Sequence, residues 1–121
     1  MFQRVEIKES QILTNGSMGG DVTSSAVVIV NYPKATAMLN YSIQAVWSAG
    51  STPIGILKLQ ATNDGTNWVD VGCSNATVTG NSGSVMYSIA SHAYDQVRLT
   101  YVRTSGSGTL NAYFKGVSYG I

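Results

Sequence analysis

The chain has 121 residues, 44% of them hydrophobic and 11% charged, with a net charge of +1. Its seven cations, Arg4, Lys8, Lys34, Lys58, Arg98, Arg103 and Lys115, are scattered, which excludes the clustered basic patch that phosphate-backbone binding needs. A single cysteine, Cys73, excludes an intrachain disulfide framework, and the longest apolar run, Ala26 to Val30, is far too short to span a bilayer.

A chain of this size buries roughly two thirds of its unfolded surface, enough for a core without metals or disulfides. One domain over residues 1–121 is the expectation, with 1–20 as an extended arm and loop. The N-terminal residues MFQRVEIKES lack an apolar signal-peptide core, so no leader is expected. No long segment carries apolar residues at helical spacing. β-branched and aromatic runs between Gly, Ser and Asn clusters read as strands.

Arg4 to Thr14 reads as a first strand with a break near Ser10, followed by a loop at Asn15–Gly20. Val22 to Val30 is the second run, broken by Pro33, which cannot donate to a ladder. Thr36 to Trp47 is the longest strand candidate. It places Leu39, Tyr41, Ile43, Ala45 and Trp47 on one face, because strand side chains alternate. Ser48–Pro53 reads as a loop. Gly55 to Val71 reads as a hairpin turning at Asn63-Asp64-Gly65, with Leu57, Leu59 and Ala61 on its inner face. A short strand at Asn75–Thr79 and a turn at Gly80–Gly83 follow. Ser84 to Ile89 places Val85, Tyr87 and Ile89 together, and Ala90–Ala93 could form one helical turn. Asp95–Thr104 and Thr109–Val117 read as a second hairpin about Ser105–Gly108. About eight strands at short, regular intervals, with no helices to cover an open sheet, predict an all-β fold. The expected form is an antiparallel β-sandwich of jelly-roll type.

Catalytic chemistry finds little to work with. His92 is the only histidine, and no Gly-x-Ser-x-Gly elbow is present. Asp64 and Asp70 share one hairpin and could approach as an acid/base pair. Asp64 is better explained as a turn former capping local amides, and Asp70 as a solvated side chain. Asn63–Asn67 lacks the alternating carboxylates and distal Glu of a calcium loop. One Cys and one His cannot build a structural zinc site. No catalytic residue, cofactor or metal is therefore assigned. Cys73 is expected to be a small buried hydrophobe. The sequons at Asn15, Asn40 and Asn75 are chance matches in a Ser/Thr-rich chain. Trp47 and Tyr41 are expected inside. Trp68, Tyr113 and Tyr119, with Arg4 on the arm, are the candidates for partner or glycan contact. Tyr and Trp combine large apolar area with a polar tip.

Two segments carry a resemblance. Leu57-Lys58-Leu59-Gln60, then Asn63-Asp64-Gly65-Thr66-Asn67-Trp68-Val69-Asp70-Val71, is similar to an L-x-Q-x-S-x-D-G-x-N-W-x-D hairpin, with Thr62 where Ser is common. Tyr94 to Leu110 matches Y-x-x-V-R-L-x-Y-x-R-T-S-G-x-G-T-L, and Gln44–Trp47 fits the Q-A-V-W strand before them. In these residues the chain resembles small β-sandwich or jelly-roll virion proteins of tailed bacteriophages, of the capsid decoration or cement type. The resemblance covers roughly two thirds of the chain, and the N-terminal fifth departs most. It implies a structural, non-enzymatic protein on the capsid exterior, made in the host cytoplasm. The implied partners are the major capsid protein and further copies of itself in a homotrimer or homodimer, with no nucleic acid or membrane. A tail, baseplate or fibre-associated domain is the alternative within the virion. A carbohydrate-binding module for host glycans is the alternative outside that role.

Overall fold

The computed structural model describes residues 4–31, 36–37, 40–90 and 94–120. His92, Pro33, Leu39 and the first three residues, and the side chains of Arg4 and Tyr119, lie outside what is described. The strands are β1 (Arg4–Ser17), β2 (Val22–Thr23), β3 (Val27–Val28), β4 (Val30–Asn31), β5 (Thr36–Ala37), β6 (Asn40–Thr62), β7 (Val69–Asp70), β8 (Ala76–Val78), β9 (Gly83–Ala90) and β10 (Gln96–Gly120). β4 and β5 form a small separate pair, and every pairing is antiparallel.

β6 and β10 are the frame. They run alongside each other from Gln96 opposite Thr62 to Val117 opposite Asn40. Each serves two layers. One layer has the order β1, second half of β10, first half of β6, β9. The other has β2 with β3, first half of β10, second half of β6, then β7 with β8. This is the strand order of a jelly roll, with β6 and β10 each supplying two of the eight strand positions and the short pairs β2/β3 and β7/β8 supplying one each. The fold is an all-β antiparallel sandwich.

Two expected turns are absent. Ser48–Pro53 lies within β6, and Ser105–Gly108 within β10, so Asp95–Val117 is one bent strand and not a hairpin. The bend comes from register shifts between Arg103 and Thr109, since bulges add residues to one strand and turn it. Ala49 and Thr52 adopt positive φ of 52° and 49° opposite Gly106 at 77°. Asn81 holds this corner: its carbonyl accepts from Gly50 N at 3.0 Å and its side-chain oxygen from Thr52 N at 2.9 Å. The other differences are smaller. β1 continues past Ser10, with its shifts at Gln11/Leu13 and Leu13/Gly16. The second run divides into β2, β3 and β4, and the Asp64-Gly65 loop is wider than a two-residue turn because pairing restarts only at Val69 opposite Ala61.

The alternation read from sequence places the core correctly. Tyr41, Ile43, Ala45, Trp47, Leu57, Leu59, Ala61, Val97, Leu99, Tyr101, Leu110, Ala112 and Phe114 are buried in one cluster spanning both layers. Val85, Tyr87 and Ile89 pack against it half-covered. Tyr41 and Phe114 stack at a tilt, ring centroids 5.7 Å apart. Burial at both ends of the long strands by one cluster shows that the sheet folds onto itself.

The second layer has broken edges, and two buried serines mend them. Ser24 lies between β2 and β3, and its Oγ accepts from Leu99 N at 2.9 Å. Ser74 lies between β7 and β8, and its Oγ accepts from Leu59 N at 3.1 Å while donating to Val71 O at 2.7 Å. Leu99 and Leu59 are direct cross-strand partners. A hydroxyl therefore replaces the missing ladder acceptor on each side of one row. Leaving a buried amide unpaired costs its desolvation, about 1–3 kcal/mol. Ser24→Ala and Ser74→Ala are each expected to lose about that much by urea denaturation. Ser88→Ala, on the exposed face of β9, should change stability by less than about 0.5 kcal/mol. Equal effects at all three sites would remove this account.

Candidate docking surfaces

The outer face of the first layer is built from rows of side chains that cross all four strands. One row runs Gln11, Tyr113, Gln44, Met86; its neighbour runs Glu9, Lys115, Ser42, Ser88. All of these but Ser88 line a shallow concavity of about 460 Å³. Tyr113 stands at its centre, 43% exposed, because it alternates with buried Ala112 and Phe114. Glu9 and Lys115 form an exposed ion pair at 3.2 Å, which contributes little stability. Gln11 is fixed from the side, donating to Asn111 Oδ1 at 3.1 Å. The same oxygen accepts from Asn15 N at 2.8 Å, where φ is 50°.

The outer face of the second layer carries a different constellation. Arg98 lies over the Trp68 ring, its guanidinium carbon 4.1 Å from the ring centroid. Its Nε donates to Gln60 Oε1 at 2.9 Å; Gln60 Nε2 donates to Asp70 Oδ1 at 3.0 Å; Lys58 Nζ reaches Asp70 Oδ2 at 2.9 Å. Hydrogen bonds from Gln60 and Lys58 hold the Asp70 carboxyl below its ordinary range. Asp70 is thus a paired group, not the merely solvated one expected. Trp68 is half-buried, with one ring face taken by Arg98, so it presents less free aromatic surface than expected.

The Asp64 turn is as expected. Its Oδ1 accepts from Thr66 N at 2.8 Å and Asn67 N at 2.7 Å, and its Oδ2 from Asn67 Nδ2 at 2.7 Å. The backbone amide of Asn67, then its side chain, pull the Asp64 pKa far below the usual carboxylate value. The sign follows from linkage. A depressed folded pKa gives stability that is present above the unfolded value near 4 and is lost as pH falls through the folded one. On acidification the protection of the Thr66 and Asn67 amides, taken relative to their intrinsic exchange rates, should therefore fall, and in Asp64→Ala it should be low at every pH. Protection that survives in that variant would show the cap is idle.

The four candidate contact residues do not form one site. Tyr113 belongs to the first layer's face and Trp68 to the second's. Arg4 and Tyr119 lie at the far end of the β1–β10 pairing, Arg4 opposite Gly120 and Val5 opposite Tyr119. Asp64 and Asp70 each have their own partners, and the concavity beside them, about 490 Å³, includes exposed Val69 and half-buried Tyr94. Cys73 is exposed at φ 61°, against the buried position expected; it ends a turn, not a strand. Sequence reading missed Arg98, Gln44 and Met86. The signal for them is the β6–β10–β9 register, which no local pattern supplies. Among the described residues no group of three or more His, Cys, Asp or Glu could hold a metal, and no helix is long and apolar enough to cross a membrane.

No protein-family model and no curated protein sequence matches the chain. Among solved structures, it is similar to a chain from the structure of infectious bursal disease virus, Gt strain, at 11% identity and a TM-score of 0.50. The match covers 96% of this chain but only 36% of that one, so the chain spans about a third of the viral protein's length. It is also similar to a structure described as CBM4, at 14% identity over 98% and 78% of the two chains, TM-score 0.47. A third, FLHE, has 15% identity over 97% and 96%, TM-score 0.42. At such identities the likeness is one of fold, and the viral chain shares with this one an all-β sandwich.

Proposed function

We propose that the chain is a structural, non-enzymatic virion protein of a tailed bacteriophage. In this reading it is a capsid decoration or cement protein that binds the major capsid protein across capsomer joints. It acts from the capsid exterior as a homodimer or homotrimer, after synthesis in the host cytoplasm. One observation carries the reading. The segments that resemble phage virion proteins, Gln44–Trp47, Leu57–Val71 and Tyr94–Leu110, fall mainly on β6, β7, β10 and the loop between β6 and β7. They build the frame of a jelly roll and its corner. That frame leaves two outer faces rich in amides and hydroxyls, with few unpaired charges. Such faces suit close packing in a crowded lattice, where weak contacts are multiplied by repetition.

The test is direct. Purified protein should co-sediment with mature heads that lack it, saturate at a fixed copy number per capsomer, and raise the temperature at which the heads open. Absence of binding to mature heads removes the decoration reading. Labelling at the tail or baseplate in a particle map would assign the tail-associated alternative instead.

One feature favours a second reading, glycan recognition. Tyr113 at the centre of an amide-lined concavity could stack on a sugar ring. Tyr113→Ala should then weaken binding on a glycan array at least tenfold, and no binding by the unmodified protein would remove this reading.

A further inference from the structure

The edges of a sheet expose unpaired amides and carbonyls, and proteins normally blunt them with charge, proline, bulges or brevity. Three of the four edges here are blunted. β1 carries Arg4, Glu6, Lys8 and Glu9 and two register shifts. β2 with β3, and β7 with β8, are fragments of two or three residues. β9 has none of these devices. It is eight residues, Gly-Ser-Val-Met-Tyr-Ser-Ile-Ala, with no charge and no proline, in unbroken register with β6 from Gly83 opposite Trp47 to Ala90 opposite Asn40. Among the described residues nothing pairs with its other side.

We infer that the open edge of β9 is the docking site for a second copy of this chain, joined antiparallel about a two-fold axis midway between Met86 and its equivalent. Three features favour that occupant. A two-fold axis normal to the sheet keeps each face on its own side, so it must lie midway between one residue and its own equivalent and pair positions of equal parity. Centred on Met86, it sets Ser84 against Ser88 of the second copy, Val85 against Tyr87 of the second copy, and Met86 against its own equivalent. The strand is self-complementary: hydroxyl meets hydroxyl, and a β-branched side chain meets an aromatic one, a favourable cross-strand pair. Second, charge raises no obstacle, because β9 brings no ionised group to the joint. A β1 edge in the same role would bring four. Third, Val85, Tyr87 and Ile89 pack on the core but remain half-covered, because among the described residues no strand lies beyond them. The second copy covers that side and continues the core. Met86, 56% exposed, would be covered on the other face.

The joined layers form one continuous eight-stranded sheet with two Tyr113 concavities on one side. An eight-residue edge gives an interface at or below the low end of the specific range, roughly 1,200 Å². The pair is therefore weak in solution and gains from a lattice that holds many copies. The inference specifies the self-association in the proposed function and does not depend on where the protein sits in a particle.

Analytical ultracentrifugation of the full chain across a wide concentration range should show a monomer–dimer equilibrium. Met86→Lys sets like charges opposite each other and should raise the dissociation constant at least tenfold, with circular dichroism and melting temperature unchanged. Ser88→Lys is a second exposed probe should the first disturb folding. Met86→Cys, combined with Cys73→Ser, should form a covalent dimer when glutathione disulfide accepts the two electrons and two protons of the paired thiols. Directly opposed residues in antiparallel strands have Cα atoms about 4.5–5.5 Å apart, within the disulfide range. A protein that stays monomeric throughout overturns the inference and the self-association together, while head binding tests the virion reading separately. An oligomer that ignores both lysines, or yields no cross-link, overturns β9 pairing alone.

Discussion

Gly106→Ala is expected to lower the free energy of unfolding by about 3–5 kcal/mol, a large part of the roughly 6–18 kcal/mol available to a domain of this size. Two costs add. Gly106 has φ of 77°, where a side chain costs about 1–2 kcal/mol. A Cβ there would also collide with the carbonyl of Thr52 and approach Pro53 Cα to 2.8 Å. These are backbone atoms in the facing strand, which is itself held at positive φ by Asn81. Neither side can yield without opening the corner, so overpacking adds a few kcal/mol more. Gly72→Ala is the control: nothing lies within 4 Å of its Cβ position and its φ is ordinary. It should change stability by less than about 0.5 kcal/mol. Urea unfolding that places both variants within about 1 kcal/mol of the parent would show that this corner is soft.

Tyr101 should separate volume from hydrogen bonding. It is fully buried, and its ring lies against Gly55, where a Cβ would meet ring carbons at 2.6 Å. Tyr101→Ala removes a whole ring from a packed interior and should cost about 4 kcal/mol. Tyr101→Phe should be neutral or stabilising by up to about 1 kcal/mol. Its hydroxyl is buried with no hydrogen-bond partner among the described residues, so the native state bears a desolvation cost without a bond in return. Burial raises the Tyr101 pKa against the opposing pull of Arg103, in agreement with a hydroxyl poorly solvated in its charged form. A loss of about 1.5 kcal/mol or more in the phenylalanine variant would reveal a bond that the geometry does not contain.

The two substitutions bear on function as well as stability. The corner and the Tyr101 layer set the spacing between the outer faces that carry Tyr113 and Trp68. Under the proposed decoration role the protein presents fixed surfaces to a lattice, and on that reading Gly106→Ala should weaken head binding even at temperatures where the chain remains folded. Met86→Lys should act in the opposite pattern, sparing the fold while loosening the pair.

Local chemistry made much of this protein legible. Period-two alternation gave the inner faces of β6, β9 and β10, from Tyr41 through Phe114, because strand geometry forces neighbours to opposite sides. Asp64 was readable as a cap because its reach is two or three residues. Trp68 was readable as a surface aromatic, but its cover was not: Arg98 lies thirty positions away and meets it only across paired strands. Ser24 and Ser74 look like loop serines until the central row they complete is known.

By itself the sequence determined an all-β chain, the residues that face inward, and the chemistry of the Asp64 turn, since these depend on neighbours along the backbone. Tertiary structure alone decided that Ser48–Pro53 and Ser105–Gly108 are corners within continuous strands, and that β9 ends a layer undefended. Glycine and serine permit a reversal and a bend equally well. Which one occurs is set by the distant strand that pairs on either side, and strand pairing is a contact between residues far apart in the chain.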